Sequence, residues 1–202
     1  MTRTSSLAWT AIGLAVAAQL LVAVLTTAFA GQVDPFRDPV SDYVFHRGGG
    51  ALFAVAVLLV LASGAVLAAA ARLAGLPVRT AVAVLFGLWL GGLVVVLVFR
   101  GNVSAAQPTL PGTLHRFGGA VLFSSLPLAC RALARQLRPD PRWAVAARRL
   151  GWSAFAGLAT AASFGLAQFL PALPQGLLER LALAAELGIL VTAALAVRSA
   201  GR

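Results

Sequence analysis

Six long apolar runs dominate this chain and decide what it can fold into. Each run is close to the ~20 residues that an α-helix needs to cross the hydrocarbon core of a bilayer. Only helices and closed β-barrels satisfy their backbone polar groups in lipid, and these runs are far too long for barrel strands. The sequence therefore predicts one all-α integral membrane domain over residues 1–202, a bundle of six transmembrane helices. Their predicted bounds are about 7–30, 48–72, 80–99, 115–137, 150–170 and 177–198.

The end of the first run resembles a signal-peptide cleavage site, because "TAFAG" (residues 27–31) contains the pattern Ala28-x-Ala30. The run before it, from Leu7 to Ala30, is longer than the ~7–15 residues of a signal-peptide hydrophobic region. We therefore expect an uncleaved first transmembrane helix.

The basic residues indicate the orientation of the bundle. All 16 of them are Arg, and most lie between the apolar runs, where basic residues anchor and orient membrane proteins. With the N-terminus inside, eleven arginines fall on the inner side: Arg3, Arg72, Arg79, Arg131, Arg135, Arg138, Arg142, Arg148, Arg149, Arg198 and Arg202. The other five fall outside: Arg37, Arg47, Arg100, Arg116 and Arg180. This asymmetry predicts a multi-pass plasma-membrane protein with both termini in the cytoplasm and with membrane lipids, not nucleic acid, as its partners.

The polar residues concentrate on the opposite, outer side. The stretch "RDPVSDYVFHRGGG" (residues 37–50) contains two Asp, two Arg and one of only two His in the chain. Glu179 falls on the same side, and Asp140 is the only acidic residue assigned to the inner loops. One Cys and two His are too few for a zinc site, so no metal is expected.

Two short motifs suggest an internal repeat. "HRGGGA" (residues 46–51) opens the second helix and "HRFGGA" (residues 115–120) opens the fourth, and they contain the only two His. Two interpretations stay open here: a bundle built from duplicated helical hairpins, or chance similarity in a chain rich in Gly, Ala and Arg. In either case the adjoining glycines are expected to let helices approach closely.

Glu186 is the most unusual single residue, because it lies near the middle of the sixth run. A carboxylate at that depth is costly unless it faces the bundle interior, and an intramembrane acid is a functional-site candidate. The alternative is a purely structural hydrogen bond to another helix, for example to Gln19, Ser124 or Ser163. Glu179 precedes Glu186 by two helical turns on the same face.

Three segments resemble the DUF998 family of bacterial and archaeal six-helix membrane proteins. They are "DPVSDY" (residues 38–43), "GTLHRFGGAVLF" (residues 112–123) and "GLLERLALAAELG" (residues 176–188). The resemblance implies six helices and supports the outer-face motifs, and it implies no particular reaction. Members often carry Glu where this chain has Asp42.

These features favour an outward-facing polar pocket that binds a lipid or isoprenoid-like amphipathic molecule and possesses acid–base groups. The candidate catalytic residues are Glu186, Glu179, His115 and Asp42. The candidate ligand-binding residues are Arg47, Arg100, Arg116, Arg180, His46 and Ser41. For each Arg or His alone, interfacial anchoring is the competing explanation.

Two other functions fit the same residues. One is a proton-linked transporter or accessory membrane subunit in which Glu186 titrates. The other is an electron carrier in which His46 and His115 are the axial ligands of a haem, although no cofactor is the primary expectation.

Overall fold

The computed structural model describes residues 3–102 and 107–200 and forms a bundle of six α-helices, each long and apolar enough to cross a membrane. The predicted fold class is confirmed. The helices are α1 Arg3–Ala28, α2 Gly49–Leu73, α3 Thr80–Val98, α4 Leu110–Leu137, α5 Ala144–Ala167 and α6 Gln175–Ala200.

Two helices begin at least five residues earlier than the hydropathy of the chain suggests. α4 starts at Leu110 rather than at 115, because the Thr109 side chain accepts a hydrogen bond from the Gly112 N–H at 3.1 Å and Pro111 suits the first turn. α5 starts at Ala144 rather than at 150. The predicted fifth helix began only after Arg148 and Arg149, but arginines near helix ends extend their side chains to the headgroups without ending the helix.

α6 is the central helix of the bundle. It packs against α1, α2, α4 and α5, and it reaches α3 through a side-chain hydrogen bond described below. Among helices that follow one another in the chain, α2 and α3 contact each other least, far less than α1 contacts α2 or α3 contacts α4.

Small side chains face inward where helices meet. On α1, the buried alanines recur every three or four residues, at Ala8, Ala11, Ala15 and Ala18, and the Ser63 hydroxyl of α2 donates to the Ala11 carbonyl at 2.8 Å. Four large apolar side chains of the same helix are exposed, as expected for a surface in contact with lipid: Trp9, Val16, Leu20 and Val24. Packing of this kind relies on close backbone approach, since lipid tails already match the helices in polarity.

The glycine after His115-Arg116 does permit a close helix contact. A Cβ on Gly118 would lie 2.6 Å from Val95 Cγ1, and a Cβ on Gly92 would lie 2.8 Å from the Gly118 carbonyl. α3 and α4 therefore touch backbone to backbone at this level.

The two His-Arg motifs do not occupy equivalent helix positions. His46 and Arg47 precede α2, which begins at Gly49, whereas His115 and Arg116 lie in the second turn of α4. The sequence match therefore does not correspond to the same place in two helical hairpins.

Candidate functional site

A short segment between α1 and α2, residues 34–45, folds over the end of the bundle where α2, α4 and α6 begin; we call it the roof segment, and we call this end the outer end after the side on which the arginine distribution predicts it. Its first turn is held by its own carboxylates. The Asp34 N–H donates to Asp38 Oδ2 at 2.7 Å, and the Phe36 N–H donates to Asp34 Oδ1 at 2.8 Å. A 3₁₀ turn, Val40–Phe45, follows and leads to α2. Asp34 and Asp38 thus shape the turn, as short carboxylates commonly do.

The first turns of α6 hold the roof segment by its backbone. Glu179 Oε2 accepts a hydrogen bond from the Val40 N–H at 2.6 Å, and the Leu177 N–H donates to the Phe36 carbonyl at 3.2 Å. A Cβ on Gly176 would collide with the Asp38 carbonyl oxygen. Glycine at 176 therefore permits the contact, and Glu179 fixes it.

Arg180 continues the same attachment. Its Nη1 donates to the backbone carbonyls of Pro35, Asp38 and Gly176 at 3.0, 2.9 and 3.0 Å. Its Nη2 donates to the Tyr43 hydroxyl at 2.8 Å, while Nε has no partner among the described residues. Both terminal nitrogens of the guanidinium therefore donate hydrogen bonds to oxygens of the protein itself.

Asp42 lies among several charged groups on the roof segment. Burial and the neighbouring Asp38 carboxylate raise its pKa from 3.8 to about 6, against the opposing effect of His46 and Arg180. Acidic and basic groups thus lie together around Arg180, although Asp42 makes no ion pair within 4 Å in the described part of the chain.

His115 is partly buried beside the end of α3. Its Nδ1 lies 2.8 Å from the Phe99 carbonyl oxygen, which can only accept, so Nδ1 carries the hydrogen of that bond. His115 Nε2 and the Ser41 hydroxyl oxygen lie 3.9 and 4.0 Å from the position that a Cβ on Gly101 would occupy. Two predicted site residues from distant parts of the chain therefore lie beside the same glycine.

The remaining basic candidates are more dispersed. Arg47, Arg100 and Arg116 are exposed, and Arg100 lines an open outer cleft beside Phe45. His46 packs against the Phe29 ring, with 6.1 Å between ring centroids. The structure thus brings Asp42, Glu179 and Arg180 together, and it leaves the other arginines at the outer rim.

Glu186 faces the centre of the bundle, as its position predicted. It is 5% exposed, and its Oε2 accepts a hydrogen bond from Trp89 Nε1 of α3 at 2.7 Å. Its other oxygen, Oε1, has no hydrogen-bond partner within residues 3–102 and 107–200. A buried carboxyl oxygen without a partner is unusual enough to require an explanation.

The suggested structural partners of Glu186 were wrong. Ser124 donates to the Ala120 carbonyl of its own helix at 2.7 Å, and Ser163 donates likewise to Ala159 at 2.9 Å. In apolar surroundings these hydroxyls satisfy themselves locally on a helix. The signal that sequence reasoning missed was Trp89, whose indole N–H needs an acceptor when buried.

A cavity of about 60 Å³ adjoins Glu186. Apart from the carboxyl group its walls are apolar, and they come from α1, α2, α3, α4 and α6. Val40 of the roof segment lines it as well, next to the N–H that Glu179 binds. The residues lining the cavity from α2 and α3 are Phe53, Ala56, Val57, Val60, Trp89 and Leu93.

In the described ranges, 3–102 and 107–200, no three His, Cys, Asp or Glu side chains are grouped closely enough to hold a metal ion. The family model described as "Protein of unknown function (DUF998)" matches residues 8–196. Comparison with the curated proteins and with the solved structures finds no match.

Proposed function

The chain belongs to the DUF998 family of unknown function, and from its geometry we propose that it binds a lipid-like amphipathic molecule in the outer half of its membrane bundle. The polar group of that molecule meets Glu186, and its apolar part lies against the helices around the cavity. We place both termini in the cytoplasm and the roof segment outside, following the distribution of arginines.

One observation supports this proposal most. Glu186 lines a cavity whose other lining residues are apolar, and its Oε1 is buried with no partner in the described part of the chain. Leaving a polar group unpaired in such a place costs about 1–3 kcal/mol, so a bound molecule with one hydrogen-bonding group would remove a penalty that the free protein bears. Binding sites for small molecules combine mainly apolar walls with a few placed polar groups in the same way.

The roof segment supports an outer location for the site. Glu179 and Arg180 attach this segment to α6, and Val40 of the same segment lines the cavity. A carboxyl group in such a water-poor site is also suited to proton transfer to or from the bound molecule.

Analysis of co-purified molecules tests the proposal. Wild-type protein and Glu186→Leu are extracted in mild detergent and their bound lipids are identified by mass spectrometry. We expect an amphipathic species that is enriched with wild type and depleted from Glu186→Leu. Asp140→Asn is the matched control, since it removes an acidic group from the inner loop. Identical bound species in wild type and Glu186→Leu would contradict the proposal.

A further inference from the structure

We propose that the polar group received by Glu186 is a cation, so that the site takes a lipophilic ammonium compound. This inference rests on the proposed function and names the chemical class of the ligand. The features that carry it are the unpaired carboxyl oxygen, the indole beside it and the placement of the basic side chains.

The first argument is the absence of a basic partner for Glu186. In the described part of the chain the one ion pair joins Arg142 to Asp140, on the inner loop. No arginine or histidine of the described residues lines the cavity. A buried carboxylate without a countercharge is strongly disfavoured, and a cation supplied by a ligand would compensate it.

The second argument concerns anionic headgroups. Arg47, Arg100 and Arg116 are exposed at the outer rim, and Arg180 uses its terminal nitrogens on carbonyl oxygens and on the Tyr43 hydroxyl. A phosphate or carboxylate inside the cavity would meet Glu186 and no cation. The arginines that the sequence offered as anion ligands therefore do not reach this site.

The third argument is the position of Trp89. Its Nε1 binds Oε2 of Glu186, so the indole fixes the carboxyl group and leaves Oε1 without a partner. An ammonium group suits that oxygen, because a hydrogen bond between a cation and a carboxylate is about twice as strong as a neutral one. Trp89 is 1% exposed, which keeps this contact away from water.

The cavity also limits the size of the group. A volume of about 60 Å³ corresponds to about two water molecules, enough for a primary ammonium group and its first carbons. The rest of an alkyl chain must leave between helices. α2 and α3 both line the cavity and contact each other least of any consecutive pair, so we assign the exit of the chain to the boundary between them.

Ligands that share one alkyl chain and differ in the polar group provide the test. Hexylammonium, hexanol and hexyl phosphate are titrated at neutral pH into protein in lipid nanodiscs. The readout is fluorescence of Trp89 in a chain carrying Trp9→Phe, Trp143→Phe and Trp152→Phe. The same series is run on Glu186→Gln, which keeps the shape of the side chain, and on Asp140→Asn, which removes a distant acidic group.

We expect hexylammonium to bind about tenfold or more tightly than hexanol, and hexyl phosphate to bind most weakly. Glu186→Gln should lose this preference, while Asp140→Asn should retain it. Equal or tighter binding of hexanol, or unchanged ammonium binding in Glu186→Gln, would contradict the proposal of a cationic ligand. The proposal of an amphipathic binding site would remain. If none of the three binds wild type, both proposals fail. The wild-type comparison decides between polar groups even if Glu186→Gln folds poorly.

Discussion

Glu179 and Val40, separated by 139 residues in sequence, are joined by a hydrogen bond of 2.6 Å from the Val40 N–H to Glu179 Oε2. Because Val40 also lines the cavity beside Glu186, this bond connects the first turns of α6 to the part of the roof segment that adjoins the cavity. One face of α6 therefore holds both the attachment of the roof segment and, two turns deeper, the candidate binding group.

Replacing Glu179 should loosen the roof segment. Glu179→Leu leaves the Val40 N–H without its acceptor in a buried place, which should destabilise the protein by about 1–3 kcal/mol. Glu179→Gln retains a carbonyl acceptor and should cost less. Thermal unfolding in detergent and the rate of proteolysis within residues 34–45 measure the two effects. Equal behaviour of both variants would mean that the hydrogen bond does not hold the segment.

Glycine at 176 should be required for the same attachment. In Gly176→Ala the new methyl group meets the backbone of Asp38 and, at 2.9 Å, the Pro35 carbonyl oxygen, and backbone atoms cannot yield as a side-chain end can. We expect a loss of about 1–3 kcal/mol in unfolding free energy. Gly188→Ala is the matched control on α6, because nothing in the described part of the chain lies within 4 Å of its Cβ, and its higher helix propensity should stabilise by up to about 1 kcal/mol.

The bundle could be predicted from sequence, whereas its pairings could not. Each span was visible because lipid imposes its length and polarity on every helix separately. The bond between Trp89 and Glu186 depends on how α3 and α6 are rotated about their axes, which no single run of residues records. Arg180 was predicted as a ligand-binding residue, but three of its acceptors are backbone carbonyls, which every residue carries and which sequence analysis therefore cannot single out.

Asp42 should make stability depend on pH. An unperturbed aspartate has a pKa of 3.8, whereas the pKa of Asp42 in the folded protein is about 6, so the folded state holds the proton more tightly. Between about pH 4 and pH 6 the folded state therefore binds more protons than the unfolded state, and the unfolding free energy falls as the pH rises.

The comparison with Asp42→Asn isolates this contribution. The variant cannot titrate at 42, so its melting temperature relative to wild type should rise from about pH 4 to about pH 7 and then level off. Melting curves measured at several pH values in one detergent check this. A constant difference between the two proteins across that range would show that Asp42 has the same pKa in both states.

The orientation of the bundle predicts which positions are labelled from outside. Cys130 is buried, and its thiol lies 3.2 Å from the Leu150 carbonyl oxygen. The experiment uses a Cys130→Ala background, because the native thiol is then absent. Single cysteines replacing Arg37 and Arg138, both exposed, should react oppositely with a membrane-impermeant maleimide added to intact cells. Labelling at 37 and protection at 138 are expected from the arginine asymmetry. Labelling at 138 and protection at 37 would show that the bundle has the opposite orientation.

The coupling between Trp89 and Glu186 can be measured directly with a double-mutant cycle. Trp89→Phe keeps an aromatic ring and removes the N–H, so Oε2 of Glu186 loses its partner and both carboxyl oxygens are left without one, at a cost of about 1–3 kcal/mol. In a Glu186→Leu background the same substitution removes no acceptor interaction and should cost less. The difference, measured by thermal unfolding of the four proteins, is expected to be about 0.5–3 kcal/mol. If Trp89→Phe costs the same in both backgrounds, the 2.7 Å bond contributes nothing to stability, and Trp89 acts only as a packed ring beside the cavity.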